Sequence, residues 1–133
     1  MWNTGLGSFQ KWNIGNIVRE FLLSDEDIKG QVGNNIFPIV APEDTTGDFI
    51  VYRRMQYSKQ TVKMGVYQDT CMIAVVALSD NYDKSVELAS KIDNALTGKR
   101  LLENGYKLQL ELTDSTEMYE DNKYIQTIIF TIK

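Results

Sequence analysis

The 133-residue chain has no histidine and one cysteine, Cys71, and carries a net charge of −4 with 43% apolar and 24% charged residues. The missing imidazole removes the usual neutral-pH general base and commonest metal ligand, and one thiol forms neither an internal disulfide nor a cysteine metal cluster. The acidic balance opposes non-specific DNA binding, which needs a basic stripe to displace counterions.

In chain order, residues 1–12 are rich in Gly and Asn and interspersed with Trp2, Phe9 and Trp12, which reads as an N-terminal arm or as a strap packed on the domain. Met1 to Gly7 lacks the basic start and long apolar stretch of a signal peptide, and no run approaches the roughly 20 apolar residues of a membrane span, so cytosolic residence without a membrane partner is expected. A first helix is predicted from near Asn13, with Ile14, Ile17, Val18, Phe21 and Leu22 on one face. Ser24 and Asp27 resemble a capping box for a short second turn carrying Ile28 and Val32, which Gly30 and Gly33 end. Residues 35–40 read as an edge strand or a strand end because Pro38 cannot donate a ladder hydrogen bond. Residues 41–48 are a loop, and residues 49–57 a strand of β-branched and aromatic residues.

Residues 58–68 are either a long protruding hairpin bending at Gly65 or a mobile loop. Thr70 to Leu78 is apolar at almost every position, which predicts a strand in the middle of a sheet with both faces covered, and Cys71 within it reads as a buried small hydrophobe. Ser79, Asp80 and Asn81 offer caps for a helix with the stripe Val86, Ala89, Ile92, Ala95 and Leu96, closed by Gly98. Tyr106, Leu108, Leu110 and Leu112 alternate with polar residues in a one-sided strand, residues 114–123 read as an acidic loop, and residues 124–132 as the last strand. The predicted fold is α+β: a mostly antiparallel sheet of four to five strands with two helices packed on one face, formed by residues 13–133 as one domain.

Motifs for chemistry are absent. No Gly-rich phosphate loop occurs, and Asp25, Glu26 and Asp27 lack the alternate spacing of a calcium loop. No catalytic residue, cofactor or metal ligand is therefore assigned. Arg53 and Arg54 are adjacent on a strand and point to opposite faces, Arg53 with Phe49, Val51, Met55 and Tyr57, and Arg54 with Ile50 and Tyr52. They mark either the rim of the sheet or an ion pair between subunits with the acidic loop. Lys59, Lys63 and Tyr67 on one segment, and Glu117, Tyr119, Glu120 and Asp121 on the other, are the remaining candidate contacts with a subunit or partner.

The order of short motifs resembles the bacteriophage tail terminator (tail completion) family of long-tailed phages and prophages. The residues that carry it are Val32-Gly33-Asn34-Asn35-Ile36-Phe37-Pro38, then Ala41-Pro42, the aromatic strand Phe49-Ile50-Val51-Tyr52, and Asn81-Tyr82-Asp83 opening a helix that reaches Ala95-Leu96. The resemblance spans about residues 14–132 and implies a non-enzymatic virion protein assembled as a homo-oligomeric, hexameric ring. Its implied partners are other copies of itself, the tail tube protein and the head–tail connector protein, with DNA passing through the lumen unbound. Its implied location is the virion tail, after assembly in the bacterial cytoplasm. A neck or head–tail joining protein and, in a different class, a small carboxylate enzyme are the alternatives. The strand Thr70 to Leu78 fits assembly, since helices cover one of its faces and a neighbouring subunit or the Trp2–Trp12 segment has to cover the other.

Overall fold

The computed structural model describes residues 6–61 and 67–133. Within them the chain forms α1 (Ser8–Trp12), α2 (Ile14–Ser24), α3 (Glu26–Val32), β1 (Ile36–Pro38), β2 (Phe49–Thr61), β3 (Tyr67–Ser79), α4 (Tyr82–Leu96), β4 (Gly98–Leu101), β5 (Lys107–Glu120) and β6 (Lys123–Ile132). The strands build one six-stranded sheet in the order β1-β2-β3-β6-β5-β4. The expectation of four to five antiparallel strands is corrected on two points. β1 pairs in parallel with β2, and the short β4 adds a second edge by pairing with residues 107–110 of β5. β1 falls within the expected strand of residues 35–40, whereas β4 is a four-residue strand, too short to show a period of its own. Four helices replace the expected two.

α2 buries Ile14, Val18 and Leu22, which repeat every fourth residue and make one stripe. α3 starts one residue later than a Ser24 cap requires. Asp25 is the cap, its Oδ1 accepting from the Ile28 N–H at 3.0 Å, while the Ser24 hydroxyl turns back to donate to the Glu20 carbonyl. Gly30 lies inside α3, and Gly33, at φ 62°, ends it. α4 is capped by Asn81, whose Oδ1 accepts from the Lys84 N–H at 3.0 Å. Its buried stripe is Ser85, Leu88, Ile92 and Leu96, so Val86 faces outward, 42% exposed. Gly98 does not close this helix. Thr97 is the cap, and Gly98 opens β4 at φ 121°. Arg100 folds its guanidinium back onto the Leu96 and Ala95 carbonyls, placing a cation at the negative end of the α4 dipole.

Two long hairpins dominate the sheet. In the first, β2 and β3 are paired out to Thr61 opposite Tyr67; the predicted bend at Gly65 lies outside the described residues. The second corrects the acidic loop. β5 runs on to Glu120 and turns into β6 through Asp121 and Asn122, at φ 53° and 64°. Two central residues at positive φ make the tight turn whose twist matches that of flanking strands, and Asp and Asn tolerate that conformation. Alternation fades after Leu112 because a register shift follows, between Leu112 and Asp114, and because this end of the hairpin projects into solvent on both faces.

β3 lies in the middle of the sheet, as expected. Its residues Cys71, Ile73, Val75 and Ala77 are 0–1% exposed. With Ile128, Phe130 and Ile132 of β6 and Leu108 and Leu110 of β5, they pack beneath α2 and α4, which also touch each other. The Cys71 thiol is buried, and burial pushes its pKa up from the ordinary value, as suits a packing residue.

Candidate assembly surfaces

The opposite face of the sheet has no helix on it among the described residues. Register puts Phe49, Val51 and Arg53 of β2 beside Leu78, Val76 and Ala74 of β3, and these beside Ile125, Thr127 and Ile129 of β6. Asp114, Thr116 and Met118 of β5 extend the same face. Ala74 and Phe49 are shielded by their neighbours, while Val51, Met72, Val76, Leu78, Ile125 and Ile129 stay half-buried. Met118 is 53% exposed. Contiguous apolar surface of this kind is more common at contact sites than on the rest of a protein's exterior.

The described part of the N-terminal segment does not close it. α1 lies on the helix side, where Trp12 meets Tyr57 edge-on at 5.6 Å and Lys11 pairs with Asp69 at 2.7 Å. The Cys71 thiol points at the Lys11 carbonyl from that same side. Phe9 and Trp12 remain 70% and 59% exposed, and Trp2 lies outside the described residues.

A β-bulge re-aims the basic strand. Between Arg54 and Gln56 the β2 register slips by one residue, so Met55 has no partner on β3. Tyr57 then joins Arg54 on the helix side, not Arg53 as strict alternation predicts. Arg54 stacks on Trp12 at 4.3 Å and donates to its carbonyl at 2.9 Å. Arg53 stands exposed on the open face. Lys59 is exposed opposite Asp69, whose carboxylate is already held by Lys11. Lys63 lies outside the described residues, and of Tyr67 only the backbone, paired with Thr61, is described.

The acidic candidates sit at the end of the β5–β6 hairpin, and β3 and β6 lie between β2 and β5 in the sheet. The Glu117 carboxylate accepts from the Tyr82 hydroxyl at 2.9 Å and from Gln126 Nε2 at 3.0 Å. Those hydrogen bonds, Gln126 first, hold its pKa below the usual carboxylate range, and the same bond raises that of Tyr82. Glu117 is thus committed within its own chain. Tyr119 is 57% exposed, its ring 4.8 Å from that of Tyr124. Glu120 and Asp121 are exposed, and among the described residues neither has a cation in ion-pair range. The basic and acidic candidates are therefore not brought together within one chain.

Sequence reasoning missed a cleft of about 440 Å³ beside β2, where β1 stops. Its walls include Trp12, Pro38, Ile39, Tyr52, Arg53 and Arg54, and no carboxylate lines it. Gly15 of α2 also borders it, and a Cβ there would lie 3.1 Å from the Tyr52 ring. Ile39 is 72% exposed and sits at φ 66°, a conformation that a β-branched residue rarely adopts. Its N–H donates to the Tyr52 carbonyl at 2.7 Å, which holds the kink against β2. The signal in the sequence is faint: an isoleucine directly after the proline that ends an edge strand.

A second cleft, of about 600 Å³, gathers Glu26, Asp27, Asp48 and Glu87 with Lys84 and Lys91. Asp48 is occupied there, accepting from Ser79 at 2.7 Å and from Gln31 at 2.8 Å, and Gln31 in turn accepts from Lys91 at 2.9 Å. Glu26 and Asp27 lie in the first turn of α3, where negative charge favours the helix. This network ties α3, α4 and the loop before β2 together. Among the described residues no group of three or more Cys, Asp or Glu is arranged to hold a metal ion.

No family model and no curated protein matches the chain. Among solved structures it is similar to a chain of the "Virion of native gene transfer agent (GTA) particle". The identity is 15% and the TM-score 0.68, with 86% of this chain and 89% of that chain covered. The likeness establishes a shared fold over nearly the full length of both chains.

Proposed function

We propose that this protein is a virion assembly component of the tail-terminator type. Copies form a ring, hexameric in the family it resembles, that caps the tail tube, ends its polymerisation and meets the head-side connector. DNA passes through the lumen, and the net charge of −4 suits a channel that does not hold it. The observation that carries this reading is the open face of β2, β3 and β6: an apolar surface with no helix on it among the described residues, in a fold shared with a chain from a virion particle. A neighbouring copy is its proposed cover, and a head-to-tail contact of that kind repeats until the assembly closes.

The chain performs no bond chemistry of its own in this reading. Electron microscopy of the protein mixed with its tube protein tests the proposal. Tubes of uniform length bearing an end-ring are the expected result, and tubes that keep lengthening at both ends would reject it.

A further inference from the structure

We infer that the β5–β6 hairpin end of one copy docks into the cleft beside β2 of the next. The inference rests on the ring reading and adds a second contact to the cover of the open face. The two surfaces match in chemistry. The cleft offers Trp12, Pro38 and Ile39 as apolar walls and Arg53 and Arg54 as cations, with no acidic group in its lining. The hairpin end offers Met118, 53% exposed on the open face, with Glu120 on the same face and Asp121 at the turn. An apolar anchor with a charged surround, facing a socket of opposite sign, is the usual make-up of an interface centre and rim.

Charge also decides which surfaces pair. Cleft against cleft sets arginine on arginine, and hairpin end against hairpin end sets carboxylate on carboxylate. Only hairpin into cleft is attractive. The two surfaces lie toward opposite edges of the sheet, with β3 and β6 between their strands, so each copy receives on one side and gives on the other. The strained backbone at Ile39 fits this role. A β-branched side chain held outward at positive φ costs stability in the lone subunit and gains a use when a partner covers it.

The test is self-association of the full chain, read by mass photometry and sedimentation, with circular dichroism to confirm folding. Arg53→Glu and, separately, Glu120→Arg with Asp121→Asn are each expected to weaken assembly at least about tenfold, because like charges then meet in the socket. Asparagine is chosen at 121 because it tolerates the turn conformation. Combining Arg53→Glu with Glu120→Arg in one chain is expected to recover assembly to within about threefold of the unaltered protein, the coupling expected of residues in contact. An independent readout mixes Ile39→Cys and Met118→Cys chains with a short bis-maleimide. Mixed dimers are expected, and neither variant alone links to itself. Rings that persist through both charge reversals, or that give no mixed crosslink, overturn the docking and leave the ring reading standing. An unaltered protein that neither associates nor caps tubes overturns both.

Discussion

The two faces of this sheet are made from the same kinds of residue and have opposite surroundings. On β6, Ile128 and Phe130 are 3% and 0% exposed beneath α2 and α4, while Ile129 between them stands half-buried on the open side. On β3, Val75 is sealed at 0% and Val76 is not. Hydrophobicity alone therefore does not tell a core from a contact surface. What separates them is whether the chain has a helix left to lay on that side. Both long helices pack on one face, and the described part of the N-terminal segment joins them there.

The sharpest way to break this contrast is to truncate neighbours on opposite faces. Phe130→Ala is expected to cost about 3–5 kcal/mol in urea unfolding, through lost burial and a cavity. Ile129→Thr is expected to cost the dilute subunit less, about 1–2 kcal/mol, while weakening self-association, because the part of its surface that stays open is what a partner would cover. Equal costs for the two would show that the open face is closed within the subunit.

The helix-covered side is sharpened at its caps. Asp25→Ala and Asn81→Ala should each lose about 1 kcal/mol, whereas Ser24→Ala should stay within about 0.5 kcal/mol. A larger loss at Ser24 than at Asp25 would restore the capping box read from the sequence. On the contact side, Ile39→Gly is expected to stabilise the subunit by about 0.5 kcal/mol, since relief of positive-φ strain exceeds the added chain entropy. The same change should weaken assembly; a variant both less stable and fully assembling would remove Ile39 from the contact.

The smallest effect is electrostatic. The pKa of Glu117 is depressed in the folded chain, so its contribution to stability is present above the ordinary carboxylate value of 4.5 and is lost as pH falls through the folded value. Glu117→Gln should flatten the acid limb of the stability–pH curve slightly, as expected for a fully exposed group. An unchanged limb would mean that the Tyr82 and Gln126 hydrogen bonds do not persist in solution.

Much of the layer architecture was legible along the chain. The stripe of α2, the central position of β3 and the packing role of Cys71 follow from apolar spacing over a few residues. The bulge after Arg54 was not legible, because one unpaired residue reverses the facing of everything beyond it, and only the partner strand reveals the slip. The acidic run 114–121 looked like a loop because neither of its faces meets the core, so no alternation was selected there. Among the candidate contacts, Glu117 proved committed to Tyr82 and Gln126, residues remote enough in sequence to leave no local trace. The cleft joins α1, the end of β1 and β2, which no motif links.

By itself the sequence determined the absence of imidazole chemistry, the acidic balance, the helical stripes and the strand too oily for one cover. These are properties of composition and short-range periodicity, set by side chains a few residues apart. Only the tertiary structure decided which side the helices occupy, where the bulge turns Tyr57 to the helix side, and that Trp12, Ile39 and the arginines share one cleft. Such features depend on strand register and on contacts between distant segments, whose free energy exists only after the sheet has formed.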